Sequence, residues 1–335
     1  LGERITYAYD VLGNLTTKSA DTTTSFEYDV AGRLTAATSP SSTLTYAYDV
    51  LGQVLAETVN GRTLTHAYDG LGRRVARTTP TGSASNWAYD VADNCTQLTA
   101  SGPTIRFTHD LTGNELDRRI DETIALHHAF DALGRLTAQS VSTRGGHLVQ
   151  QRAYTYRLDG ALFAIDDHRT GIRRFELDRA SRVTAVHAAD WTETYAFDPA
   201  GNQTQANWPS DHPSHQAAGT RTYEGTRITR AGHIRYEHDE LGRVTVRQKR
   251  RLSRKPDTWR YTWDAEDRLI STTTPDGTVW HYTYDPLGRR TAKLCMAADG
   301  ETVAERTDFT RVTKGSDVSG DAEWELEKPK SSCNS

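Results

Sequence analysis

Large and small side chains alternate along this chain in short runs. In Leu44-Thr45-Tyr46-Ala47-Tyr48 the bulky residues fall at every second position, and Val54-Leu55-Ala56-Glu57-Thr58 follows a short polar break. That period places Leu44, Tyr46 and Tyr48 on one face of a strand. Thr, Tyr, Val and Leu suit a pleated, half-buried surface. Between the runs stands a fixed phrase: an aromatic residue, Asp, two variable residues, Gly, then Arg, Asn or Gln and an aliphatic residue. Asp is favoured at the first position of a type I turn, where its carboxylate bonds nearby backbone N–H groups. Gly is favoured at the fourth position, where it enters φ > 0 freely. A type I turn closed by a left-handed Gly is a common three-residue hairpin connection with a bulge, so each phrase predicts a hairpin tip.

The phrase recurs as Tyr9-Asp10 with Gly13, Tyr28-Asp29 with Gly32, Tyr48-Asp49 with Gly52, and Tyr68-Asp69 with Gly72. It returns as Asp110 with Gly113, Asp131 with Gly134, Asp198 with Gly201, Asp239 with Gly242, and Tyr284-Asp285 with Gly288. Asp93 and Asp267 take the Gly place after Asp90 and Asp264, which Asp tolerates better than most residues. Ser181 takes it after Asp178 and predicts an altered turn. Arg157 stands in for Asp in one copy, and Glu224 anchors an irregular one. Most anchors are 19 to 21 residues apart; the longer steps 131→157, 198→224 and 239→264 predict loop insertions. A fixed period near 20 residues means one supersecondary unit copied and stacked. The expected fold class is all-β: an array of stacked β-hairpins forming an extended, curved antiparallel sheet over residues 1–310. The polar residues 311–335 are expected to form a disordered tail.

Apolar residues make up 36% of the chain. That is lean for a thick two-layer interior and suits a sheet with one wet face. Burying one aliphatic or Phe-sized side chain contributes about 1.5–3 kcal/mol, against about 1–2 kcal/mol per residue for ordering backbone. A lone hairpin is marginal on those terms, so stability must come from pairing across many copies. An array with an open strand edge is expected to aggregate or to pair with another chain.

These residues resemble the bacterial RHS proteins built from YD repeats. The resemblance covers roughly residues 1–310 and is most specific over Trp259-Arg260-Tyr261-Thr262-Trp263-Asp264 and Trp280-His281-Tyr282-Thr283-Tyr284-Asp285. It implies a sheet wound as a spiral shell around a C-terminal toxin domain, in proteins exported by type VI secretion or in related toxin complexes. The implied role is a non-catalytic structural shell segment of a secreted or cell-surface toxin. Its partners would be the rest of its own shell, an enclosed toxin domain absent from this chain, and secretion-system components. In the family an Asp-Pro followed by Gly-Leu marks a cleavage region. Here Asp285-Pro286-Leu287-Gly288 and Asp198-Pro199-Ala200-Gly201 fall in register with the repeat and read as ordinary tips. Leu1 opens directly on the first repeat without a signal peptide, so a fragment of a longer polypeptide is expected.

Candidate chemistry changes this picture little. The net charge is −4, which gives no general attraction to nucleic acid. No apolar run is long enough for a membrane span. One carboxylate per tip is a poor calcium site, since that ion takes six to eight oxygens. Asp211-His212-Pro213-Ser214-His215 has metal-like spacing, but Pro209 and Pro213 predict an irregular solvated insertion. His127 and His128 are adjacent and point to opposite faces of a strand. The basic run Arg247–Lys255 reads as an exposed hairpin extension, with a basic rim for an acidic cargo or partner shell as its functional alternative. Cys95, Cys295 and Cys333 are too scattered for a disulfide framework or zinc site. Nucleophile-elbow, phosphate-loop and zinc-protease motifs are missing, so no enzyme, metal or cofactor is expected. The sequons at Asn14, Asn94 and Asn202 all lie just past a tip. Tyr7, Tyr46, Trp259, Tyr261, Trp263, Trp280 and Tyr282 join the Tyr residues of the phrase in matched rows. Such rows read as stacking between neighbouring strands. The alternative is a cell-surface carbohydrate-binding YD-repeat module, which would use the same aromatic faces.

Overall fold

A computed structural model describes residues 4–251, 253–312 and 323–326. The described residues form thirty strands and one 3-10 turn at His215–Ala217, with no α-helix. Consecutive strands pair antiparallel, as in Ser42–Tyr48 with Val54–Val59 and Val54–Val59 with Arg62–Tyr68. The expected all-β hairpin array is therefore the fold.

Each Asp-x-x-Gly phrase closes a hairpin as its residues require. At the first tip Asp10 N donates to Asn14 O at 2.9 Å, Gly13 N donates to Asp10 O at 3.1 Å, and Gly13 has φ +85°. The register shifts between Ala8 and Tyr9, which is the bulge. Ser181 does not alter its turn, contrary to the sequence reading. It adopts φ 59°, and its N–H donates to Asp178 O at 3.1 Å. Hydrogen bonds from Ala180 N, Arg182 N and Arg182 Nε to the Asp178 carboxylate hold that strained conformation in place. Arg157 also closes a normal turn, with Gly160 N donating to Arg157 O at 3.0 Å. Glu224 pairs with Arg227 across a tighter two-residue tip.

The longer steps are accommodated differently from one another. Between anchors 198 and 224 an irregular segment precedes Gly219–Glu224, as expected for an insertion. Between 131 and 157 the extra residues instead lengthen the strands Leu136–Thr143 and Leu148–Tyr156, because they continue the ladder as far as Ser142 and Leu148. Most of the tail lies outside the described residues. Within it Glu323–Leu326 pairs as a strand with Val303–Val312, so the repeat's pairing extends past residue 310.

The array divides into two compact units, a boundary the repeat pattern does not mark. One comprises residues 1–84, 237–248 and 254–335; the other comprises 85–236 and 249–253. In the first unit every second residue faces inward. Ser42 and Leu44 are buried on one face while Thr43 and Thr45 are exposed on the other, and Leu64 and His66 repeat the pattern against Thr63 and Thr65. Phe26, Ala37 and Leu44 form its small core, flanked by Leu15, Tyr28, Leu34, Tyr46 and Val59. The core of the second unit is thinner, with Ala164, Ala185, Val186, Ala206, Ala231 and Ile234 buried.

Within the first unit, residues far apart in sequence meet. Lys18 pairs with Glu266, and Ala265 N donates to Asp21 Oδ2 at 3.2 Å. Arg289 Nη2 lies 2.7 Å from Glu57 Oε1. The tip at Asp264 thus meets the early turn at Asp21, and the tip at Asp285 meets the strand Val54–Val59.

Leu44 is fully buried. Leu44→Ala is expected to cost the first unit about 2–5 kcal/mol, read as a lower urea midpoint for that unit's transition.

Candidate functional site: the tip ladder

The tips carry most of the polar geometry. The Asp29 carboxylate accepts backbone N–H groups from Ala31 and Arg33 on Oδ1, both at 2.9 Å. Its Oδ2 accepts Arg33 Nε at 2.6 Å. One side chain therefore satisfies the turn and clamps the residue that follows it. The same Asp–Arg clip recurs at Asp69, Asp131, Asp178, Asp239, Asp264 and Asp285. At Asp10, Asp90, Asp110 and Asp198 an Asn amide replaces the guanidinium. These include the three sequons. The amides of Asn14, Asn94 and Asn202 are engaged by aspartates, which supports the structural reading of those positions.

Arginine adds a second reach. Arg33 Nη1 donates to Asp49 O at 3.3 Å, and its guanidinium lies 4.8 Å over the Tyr48 ring. Tyr48 OH donates back to Leu34 O at 2.7 Å. Here one repeat grips the next through an arginine and is gripped in return by an aromatic strap. Tyr68, Tyr156, Tyr223, Trp263 and Tyr284 strap Val54, Leu136, Gln203, Val244 and Leu269 in the same way. The aromatic rows therefore bind neighbours through carbonyls and cations. Tyr46 and Tyr48, whose centroids are 6.1 Å apart, lie on one strand, not on adjacent ones. Gln53 makes a neutral version of the reach, donating to Gly72 O at 3.0 Å. Gly72 has φ +83°, which favours Gly, and a Cβ there would stand 2.8 Å from Gln53 Nε2 and displace that amide from its bond.

The clips at Asp10, Asp29, Asp69, Asp90, Asp110, Asp131, Asp178, Asp198 and Asp239 hold those carboxyls below the ordinary carboxylate range. At Asp29 the backbone N–H of Arg33 leads; at Asp10 the Asn14 amide leads; at Asp110 the Thr112 hydroxyl and Asn114 amide do. Asp285 differs from its counterparts by burial. Asp285, Arg289 and Glu57 side chains are 2%, 9% and 7% exposed, and Arg289 Nε meets Asp285 Oδ2 at 2.5 Å. Burial opposes the Arg289 charge, but Glu57, Tyr46 and Asp285 outweigh it and hold the guanidinium above its usual range. Desolvation, with Glu57 close by, pushes the Tyr46 phenol well up. Glu57 was not singled out in the sequence. Its signal was an acidic residue at a strand position directly opposite Tyr46, on the inward face.

The remaining candidates resolve one by one. Among the described residues no His, Cys, Asp and Glu cluster fits a metal ion. His212 stacks 4.8 Å from Trp208; His127 Nδ1 lies 3.0 Å from Asp117, whereas His128 faces Glu115 O and Gln139. The basic run is only partly an extension. Val244–Lys249 is a strand of the array, Arg247 lies 4.5 Å over Trp259, and Arg254 pairs with Asp257 at 3.4 Å. Cys95 and Cys295 are not joined in a disulfide. Asp285-Pro286-Leu287-Gly288 and Asp198-Pro199-Ala200-Gly201 both close hairpin tips. Among the described residues no helix is long and apolar enough to cross a membrane.

This architecture defines a tandem β-hairpin repeat protein whose tips carry the Tyr-Asp signature. The family model "RHS Repeat" matches residues 9–44, 28–60, 48–84, 257–279 and 263–302. Residues 9–84 and 257–302 of the chain carry RHS repeats. It is 29% identical over 198 residues to "Probable deoxyribonuclease RhsA" of Dickeya dadantii (strain 3937), covering 52% of this chain and 13% of that protein. It is 33% identical over 193 residues to "Double-stranded DNA deaminase toxin A" of Burkholderia cenocepacia (strain H111), covering 54% of this chain and 13% of that protein. The crystal structure of TcdB2-TccC3 shares the fold over 99% of this chain and 23% of its own, with TM-score 0.57 and 15% identity. The chain spans about an eighth of the curated relatives it matches.

Tyr48→Phe removes one strap but keeps the ring under Arg33. It is expected to lower stability by about 0.5–1.5 kcal/mol in urea unfolding, whereas Tyr7→Phe, on an exposed ring, should leave the midpoint in place. Acid should act in two stages. Burial, helped by Arg74 and Arg77, lowers His66 to about 4, so its contribution is lost as pH falls from about 6.5, its ordinary value, towards that lowered one. The aspartates of the exposed clips, such as Asp10, Asp29 and Asp110, have depressed folded values. Their contribution is present above about pH 4, the ordinary Asp range, and is lost as pH falls through the lower folded values. Urea midpoints measured from pH 7 to about pH 2 should show both stages, and His66→Phe should remove only the first.

Proposed function

We propose that this chain is a segment of a non-catalytic wall that encloses a toxin domain carried elsewhere in its polypeptide. The observation that carries this reading is the ladder of clips and straps, joined to the seating of late tips on early hairpins. A surface built that way is continuous, has few free strand edges, and keeps a cargo from solvent. The relatives support the division of labour. One is named for a deoxyribonuclease and another for a DNA deaminase, yet both resemble this chain over about half its length. A piece shared by proteins named for different chemistries does not specify either. The fold likeness to TcdB2-TccC3 supports a spiral shell. On this reading the partners are the rest of the shell, the enclosed toxin and the secretion machinery, and the place of action is outside the producing cell. The carbohydrate-binding alternative is less favoured, because the aromatic rows it needs are occupied by cations and straps.

Limited proteolysis of the longer polypeptide tests the reading. With the wall intact, the cargo should resist a protease that cuts it readily in isolation. Replacing Glu57 and Arg289 together by Ala should open the seat between early and late hairpins and expose the cargo. Equal cleavage of enclosed and isolated cargo would refute confinement.

A further inference from the structure

In the second unit, the hairpin ends opposite the tips enclose a cavity of about 460 Å³. Gln150 and Arg152 reach it from the strand Leu148–Tyr156, Asp167 from the end of Leu162–Asp167, and Arg173 from Gly171–Leu177. Asp167 is 2% exposed and organises its neighbours. Its Oδ1 accepts the Arg169 backbone N–H at 2.9 Å, while its Oδ2 accepts Arg152 Nε at 2.8 Å and Gln150 Nε2 at 3.2 Å. That carboxylate answers one of the three guanidiniums on the lining. Among the described residues the other two, on Arg169 and Arg173, have no hydrogen bond or ion pair. Arg173 Nε is withdrawn from water all the same.

A buried charged donor with nothing to bond destabilises the fold that holds it. Water can satisfy such a donor. It does not neutralise the surplus of two positive charges that three guanidiniums against one carboxylate leave on the lining. A carboxylate ligand brings one negative charge. A phosphomonoester brings about −1.5 to −2 at neutral pH, with three acceptor oxygens, and arginine forks match phosphate oxygens in pairs. The volume exceeds the needs of a phosphoryl group and falls within the roughly 300–1,000 Å³ of small-molecule sites. Trp191, on the same lining, offers an apolar face to an organic substituent. We propose that this cavity binds a small phosphomonoester, with its phosphoryl oxygens on Arg169 and Arg173 and its organic group against Trp191. The proposal goes beyond the wall reading and needs no cargo, so its failure leaves the confinement test untouched.

Isothermal titration calorimetry of the full chain with phenyl phosphate, inorganic phosphate and benzoate is the test. Phenyl phosphate should bind tightest, about tenfold or more ahead of benzoate, which carries the same ring and one charge. Arg173→Gln and Arg169→Gln should each weaken phenyl phosphate about tenfold. Trp191→Ala should erase the advantage of phenyl phosphate over inorganic phosphate and leave the latter's affinity in place. Arg173→Gln also removes an unpaired buried charge, so its urea midpoint without ligand should be no lower than that of wild type, whereas a merely structural arginine would lower it. Saturating phenyl phosphate should raise the wild-type midpoint and not that of the variant. Arg169 is exposed, so its variant covers the case in which Arg173→Gln fails to fold. A folded wild type that does not bind phenyl phosphate overturns the proposal. So does benzoate binding as tightly, which would assign the cavity to carboxylates, and so does binding that neither arginine variant weakens. Equal affinity for inorganic and phenyl phosphate would overturn the place given to Trp191.

Discussion

The structure depends on one carboxylate used three ways. At the hairpin tip an aspartate accepts two backbone N–H groups, fixes the residue that ends the turn, and, where that residue is arginine, aims a guanidinium at the next hairpin. The last of these couples a local motif to its neighbour. A turn alone would give isolated hairpins, each too small to hold itself together. The guanidinium spans to the following tip and covers its aromatic ring, and that ring's hydroxyl or indole N–H returns to the carbonyl just past the preceding tip. Charge-assisted hydrogen bonds of this kind are shorter and stronger than neutral ones, which suits a protein with a thin apolar interior.

Coupling of that sort is between neighbours, and a chain held only by neighbours behaves as a one-dimensional stack. The Glu57–Arg289–Asp285 group supplies a different kind of restraint in the first unit. It joins residues more than two hundred positions apart and is largely withdrawn from water. Removing two or three charges from water is costly, and well-packed apolar residues can match such a group in stability. Its value lies in specificity: a late tip shifted by one hairpin would leave a buried guanidinium or carboxylate without its partner. The clip at Asp285 is the same clip found at Asp29, so the long-range lock reuses the short-range device.

Most of this fold was legible because it is local. The Asp-x-x-Gly spacing fixed where the chain reverses, and the alternation in Leu44-Thr45-Tyr46-Ala47-Tyr48 fixed which face is buried. Ser181 was misread because its own φ preference was weighed without the three hydrogen bonds on Asp178 that hold the turn. The segment between anchors 131 and 157 was misread because length alone does not distinguish a loop from a longer pair of strands. The tip ladder was half legible. Arg and Tyr were visible at fixed positions, but whether a ring meets another ring or a guanidinium depends on the offset between hairpins, which spacing does not encode. The partner of Glu57 could not be read, since no local pattern joins residue 57 to residue 289.

A repeat that spends its recurring chemistry on backbone geometry is free to vary elsewhere, and the tips show where that freedom goes. The position after Gly changes among Arg, Gln and Asn while the turn survives, because each can donate to the preceding carboxylate or to a neighbouring tip. What changes is reach. Arginine clamps its own aspartate and the next tip together, glutamine bonds only forward, and asparagine closes only its own turn. A succession of such residues therefore sets how tightly each hairpin follows its predecessor without altering the hairpin itself. The proposed confinement would ask for that combination, since a wall must keep its local order fixed while the angle between successive elements is adjusted. The seating of Arg289 on Glu57 is one place in this chain where that adjustment brings distant hairpins into contact.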